Sequence, residues 1–218
     1  MKSLIFLIWM LLANMLFSQD STVFAIGISG GASTSLVSKK SVNSEYIKGS
    51  ETYRLHYGLN FYFRKNLGTY WKISVGASIS SFGERTSTFP ALSNSPINYD
   101  RKHEIRLYNF GVPLLFSRKF DIPIYLQLGI IPYGNLSGKI TTVIDESSKF
   151  MYSKYREGRF GCFGKIGVGH ELLFTNNKLN LLTFIQYDAV PDKDFTYITD
   201  YIPSRRHMII GIEAFYSF

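Results

Sequence analysis

Gly27-Ile28-Ser29-Gly30-Gly31 matches G-x-S-x-G, the spacing that places a serine nucleophile on a sharp turn between a strand and a helix. That chemistry needs the helix, and a polar stretch with no helical period follows this pentapeptide. The pentapeptide therefore reads as small residues along a strand. Gly164–Gly169 (GKIGVG) lacks the complete dinucleotide fingerprint and sits inside an alternating segment. His56, His103, His170 and His207 have no i, i+4 spacing that would hold a metal, and Cys162 is the single cysteine. No catalytic residue, metal set or cofactor site is expected. What remains is a set of charged and titratable residues that share a phase with small ones: Arg54, His56, Lys72, Lys165, Glu171, Asp188, His207 and Glu213. Both signs are present. Charges taken out of water need partners, so the chemistry expected of this set is a paired polar network inside a closed wall.

The elements that would hold these residues are long period-two segments separated by turn signals. In the second, Tyr53, Leu55, Tyr57, Leu59, Phe61 and Phe63 share one face, against Arg54, His56, Gly58, Asn60, Tyr62 and Arg64 on the other. Ordinary half-buried strands run about 5–6 residues, and this one is longer. The third sets Trp71, Ile73, Val75, Ala77 and Ile79 against Lys72, Ser74, Gly76, Ser78 and Ser80. The first sets Phe24, Ile26 and Ile28 against Ala25, Gly27, Ser29 and Gly31. Segments near 123–135, 160–174 and 180–189 repeat the pattern, with His170 an outward polar member. The fourth, 103–117, puts Phe110, Val112, Leu114 and Phe116 on one face, which Glu104 and Arg106 continue. Either a bulge shifts the phase or the strand rises above the apolar layer; the second reading is preferred, because 108–116 already supplies about the 9–11 residues a tilted span needs. The eighth ends the chain, with Met208, Ile210, Ile212, Ala214, Tyr216 and Phe218 in one phase and His207, Ile209, Gly211, Glu213, Phe215 and Ser217 in the other.

The connections alternate in length. Residues 64–70, 117–123 and 175–179 are short turns; 34–51, 82–102, 136–159 and 190–204 are long loops. Short turns on one side and long loops on the other is the layout of an outer-membrane barrel. A sheet in hydrocarbon must close, since an open edge would leave N–H and C=O groups unpaired. The expected fold is all-β: a closed, antiparallel, eight-stranded, up-and-down transmembrane β-barrel over residues 19–218. Residues 1–18, with Lys2 before an uncharged run from Leu4 to Phe17, read as a cleaved signal peptide. An uncleaved anchor is the alternative, and the run is short for a span. Aromatic content of 16% and charged content of 18% suit strands that meet an apolar medium. The formal charge of +8 suits contact with anionic head groups. Nucleic acid is not an expected partner, because no basic stripe is interleaved with aromatics. Phe61, Phe63 and Trp71 are expected at an interfacial aromatic belt, beside Tyr216 and Phe218.

Two pieces carry a family resemblance. YNFGVPLLFSRKF (108–120), with Pro113 at an inward position, is followed by IPIYLQLGIIPYG, and the last strand ends on Phe218. Together these resemble the PorT-like family of small outer-membrane β-barrels. The resemblance implies barrel architecture, no catalytic residues, and for one type of member a role in protein secretion. It also implies that Ile210, Ile212, Ala214, Tyr216 and Phe218 are read by the barrel-assembly machinery. The expected surroundings are outer-membrane lipid and lipopolysaccharide of a Gram-negative bacterium. Eight strands leave a lumen that side chains fill, so action through the extracellular loops, in adhesion, surface protection or partner docking, is the first reading. A place beside secretion-apparatus proteins is the second. A lipid-modifying enzyme is the third, although His170 has no serine two residues away on the wall. A soluble lipocalin-like barrel is disfavoured, because one face of each strand reads as small and charged.

Overall fold

The computed structural model describes residues 22–37, 53–88, 101–145, 148–154, 160–174, 177–189, 195–196, 201–202 and 205–218. The expected signal segment, and loop segments 38–52, 89–100 and 190–194, lie outside the described residues.

The wall strands are β1 (Thr22–Val37), β2 (Arg54–Asn66), β3 (Trp71–Thr88), β4 (Arg101–Gly111) with β5 (Leu114–Lys119), β6 (Ile124–Asp145), β8 (Phe160–Phe174), β9 (Asn177–Asp188) and β12 (Arg205–Ser217). β7 (Ser148–Lys154) pairs with the end of β6, and β10 (Phe195–Thr196) pairs with β11 (Tyr201–Ile202). β4 and β5 act as one wall strand. Ser78↔Gly111 and Val75↔Leu114 on β3 keep a single register across Val112 and Pro113, as do Gly111↔Tyr133 and Leu114↔Ile130 on β6. Pro113 has no N–H to give, and its carbonyl still accepts from the Gly76 N–H at 3.1 Å. Every wall strand is antiparallel to both neighbours, and β1 pairs with β2 on one side and β12 on the other. The sheet is therefore a closed eight-stranded antiparallel barrel.

The period-two pattern sets which side chains face out. Ile28, Leu59, Ile79, Phe110, Leu128, Ile166, Ile185 and Ile212 stand exposed, one on each wall strand. They form an apolar belt around the whole circumference. A water-soluble barrel would not carry such a belt, since soluble monomers rarely expose contiguous apolar patches beyond a few hundred Å². The opposite phase points into the lumen. Across the β1–β12 seam, Gly27 faces Phe215, Ser29 faces Glu213 and Gly31 faces Gly211. A Cβ on Gly27 would stand 2.6 Å from Phe215 Cβ. The small residues of the G-x-S-x-G stretch thus make room for large residues on the closing strand.

Alternation along β4 is unbroken: Leu107 and Asn109 are buried, while Phe110 is exposed. Glu104 and Arg106 therefore do continue the outward phase. A bulge is present, but in the partner strand, where Tyr108↔Ser137 is followed by Asn109↔Asn135 and leaves Leu136 unpaired. The strands at the loop end are longer than the sequence reading. β3 runs to Thr88, β4 begins at Arg101 and β6 reaches Asp145, so the expected loops 82–102 and 136–159 are partly strand. Hairpin ladders there continue beyond the point where facing enforces an apolar period.

Candidate functional site

The lumen is where the sequence-predicted charges converge, and its filling departs from expectation. The inward face is not only small and charged. Tyr62, Phe82, Tyr125, Phe163, Phe184 and Phe215 are buried there and make one core with Leu107, Leu115, Leu182 and Ile209. Offset and edge-to-face rings each add about 0.5–1.5 kcal/mol beyond area burial, so aromatic packing shares the work of closing the barrel with the polar groups.

Three layers stack along the axis. In the layer toward the loops, Tyr133 and Phe163 stack at 4.6 Å, and Phe82 meets Phe163 at 5.3 Å and the His207 ring at 4.9 Å. Asp188, buried, accepts from the Tyr133 hydroxyl at 2.7 Å. The middle layer centres on Glu213 of β12, which is fully buried. Its carboxylate accepts from Lys165 Nζ at 2.5 Å, Tyr62 Oη at 2.7 Å and Asn60 Nδ2 at 2.8 Å. Lys165 also stands 4.6 Å from the Phe184 ring centroid, a cation–π contact. His56 lies alongside, edge-on to Phe184, with Nδ1 3.1 Å from the Ser81 carbonyl and Nε2 3.4 Å from Ser29 Oγ. The layer at the short-turn mouth centres on Glu171, which pairs with Lys119, Lys72 and Lys178.

Of the residues named from sequence, Lys165, Glu213 and His56 thus meet at mid-lumen, Asp188 and His207 sit above them, and Lys72 and Glu171 sit below. Arg54 stands apart at the loop end, where it pairs with Glu104. Asn60, Tyr62, Arg64, Lys119 and Lys178 complete the network and did not stand out in the sequence. Asn60, Tyr62 and Arg64 were in the inward phase, which is the signal that could have found them. At the rim of the short-turn side, Phe24 lies 5.5 Å from Phe63 and 6.2 Å from Phe218, and Tyr216 lies 4.9 Å from Phe218. Trp71 is exposed nearby under the Arg118 guanidinium at 5.4 Å, and Phe61 is half-buried on the outer wall. Ile210, Ile212, Ala214 and Tyr216 hold the outward phase of β12. Among the described residues, no group of three or more His, Cys, Asp or Glu is placed to hold a metal.

Ser29, His56, Asn60, Gly111, Tyr133 and Gln186 line the central void, whose volume is about 20 Å³. A single water needs about 10–15 Å³, so this void has room for a water and little more.

Comparison with solved structures finds small outer-membrane barrels. Neisserial surface protein A (NspA) aligns with 12% identity and a TM-score of 0.48, over 89% of this chain and 97% of that one. Ail, the attachment invasion locus protein of Yersinia pestis, aligns with 10% identity and a TM-score of 0.46, over 91% and 99%. OprG from Pseudomonas aeruginosa aligns with 10% identity and a TM-score of 0.41, over 90% and 97%. No curated protein matches the sequence. The sequence profile described as "Outer membrane protein beta-barrel domain" matches residues 17–188, every wall strand but the last. With an apolar belt outside, a packed lumen inside and β12 closing the wall, the chain belongs to the outer membrane protein β-barrel domain family.

Proposed function

We propose that this outer-membrane barrel is a plugged scaffold that acts from its loop end, in adhesion, surface protection or docking of a partner. The observation that carries the reading is the middle layer of the lumen. Lys165 and Glu213 pair within it at 2.5 Å, beside the Phe184 ring. A conduit would need that space. The ladders of β3, β4, β6 and β7 extend past the lipid-facing belt on the loop side and supply a platform for surface segments. A cleaved leader before the barrel, lipopolysaccharide around the loop end and assembly through the terminal strand belong to the same reading.

The test has two parts. The refolded barrel in a planar bilayer should give no large, steady conductance. Cells carrying a chain in which residues 38–52 and 89–100 are replaced by short turns should still assemble a heat-modifiable barrel but lose adhesion or protection. Unchanged surface phenotypes would count against the reading.

The PorT-like segment around Pro113 favours a second reading, in which the barrel serves a secretion apparatus. That segment spans the β4–β5 join and lies entirely in the wall. Deletion of the gene followed by a comparison of secreted proteins separates the two readings: lost secretion with intact adhesion supports the second.

A further inference from the structure

The short-turn mouth of the barrel gathers cations around one carboxylate. Glu171 on β8 is buried and takes Lys119 Nζ at 2.7 Å, Lys72 Nζ at 3.2 Å and Lys178 Nζ at 3.6 Å. A fourth cation, Arg64, is only 6% exposed. Its guanidinium lies 4.6 Å from the Phe215 ring centroid and reaches Ser217 Oγ at 3.4 Å. No carboxylate lies within ion-pair distance of it among the described residues. A guanidinium presents five N–H donors in a fixed fork, and Ser217 Oγ takes one of them. Glu171 on the same cavity is already shared by three lysines. The cations come from β2, β3, β5 and β9, and only closure of the wall brings them together. Arg64, Asn66, Lys72, Glu171, Lys178 and Ser217 line a cavity of about 150 Å³ that opens at this end.

We propose that this cavity is a binding site for a phosphate-type oxyanion, either free phosphate or the phosphate of a lipid head group. Three cationic side chains line the cavity, Arg64, Lys72 and Lys178, against the one acidic side chain of Glu171, which leaves an excess for an anion. Arg64 supplies the planar fork that matches phosphate oxygens two at a time. Lys178, half-exposed at the rim, supplies a point charge that can close over the anion. Phe218 of the aromatic rim also lines the cavity.

The test uses the whole mature chain refolded in zwitterionic detergent. The thermal transition is followed by heat-modifiable migration while sodium phosphate replaces chloride at constant ionic strength. A parallel series replaces phosphatidylcholine with phosphatidylglycerol in mixed micelles. The expected result is a saturable rise in Tm with one of the two probes. Half-saturation should be at least tenfold weaker in Lys178→Gln, unchanged in Arg118→Gln on the outer wall, and absent in Arg64→Gln. Glu171→Gln should bind more tightly although its unliganded form melts lower, an inversion that a purely structural role for the cluster does not produce. A response to phosphate alone assigns the site to the free ion, and a response to phosphatidylglycerol alone assigns it to lipid. If Arg64→Gln does not fold, Lys178→Gln and Glu171→Gln decide. No saturable response to either probe, or equal losses in Lys178→Gln and Arg118→Gln, overturns the proposal.

Discussion

Replacing Glu213 by Gln keeps the shape of the side chain and removes its charge. The amide oxygen can still accept from Asn60 and Tyr62, so the change isolates what the carboxylate does for Lys165. Lys165 is 4% exposed and, among the described residues, has no second carboxylate within ion-pair distance. Breaking a buried pair from one side costs about 3–5 kcal/mol, because the remaining charge stays desolvated. Phe184 returns part of this through its ring face, worth about 2 kcal/mol when desolvated. Glu213→Gln should therefore destabilise the barrel by about 2–4 kcal/mol. Lys165→Met should cost less, since Glu213 keeps two neutral donors, each worth about 1.5–3 kcal/mol to a charged acceptor. The double variant should lose less than the sum of the singles, with a coupling within the 0.5–3 kcal/mol found for residues in contact. Urea unfolding of the refolded barrel in lipid vesicles, read by tryptophan fluorescence and heat-modifiable migration, gives all four corners of the cycle. Additivity within about 0.5 kcal/mol would refute the claim that the plug is held by this pair.

Arg in place of Leu59, mid-belt and exposed, should cost about 2–4 kcal/mol in vesicles, whereas Arg in place of Tyr53 at the loop end should cost about 0–1; equal costs would mean that the belt is misplaced. Gly169→Val should destabilise by about 1–3 kcal/mol, because a Cβ there would overlap the ring of Tyr125. Gly164→Val, where the nearest atom to a Cβ is 3.9 Å away, should be near neutral, and a denaturant melt of both would show whether lumen packing or strand propensity decides. Phe218→Ala should lower stability by less than about 1 kcal/mol, since the ring is 64% exposed and full burial of such a side chain is worth only about 1.5–3. In cells the same change should slow assembly, which pulse-chase labelling would detect; normal assembly would leave Phe218 as wall alone.

How much of this was legible depends on where facing constrains the sequence. Within the lipid belt, each residue meets either hydrocarbon or lumen. The phases of β2, β3, β8 and β12 could therefore be read residue by residue, and with them the barrel. Beyond the belt hydrocarbon no longer enforces the period, and the strand ends at Thr88 and Asp145 carried no signal. The pairing of Lys165 with Glu213 was inferable, because both lie inward and well inside the span. Phe184 and Phe215 were in the inward phase too, but the expectation of a small and charged lumen hid their part in the core. Arg64, Lys119 and Lys178 sit at strand ends beside turns, where cations usually mark a solvated rim. Their convergence depends on closure, which no local pattern encodes.

Closure also orders events in time. The acceptor at the heart of the plug, Glu213, lies on β12, and its donors lie on β2 and β8. The seam from Ala25↔Ser217 to Val37↔Arg205 joins segments almost a full chain length apart. Joining such distant segments carries the largest loop-closure entropy in the barrel and is the kind of pairing that forms slowly. Until that seam zips, Lys165, Asn60 and Tyr62 have no acid between them, and the half-made sheet keeps a hydrated, cationic interior. The last strand then brings the neutralising charge and the missing wall in one stroke, so the barrel becomes compatible with the membrane core when it becomes complete.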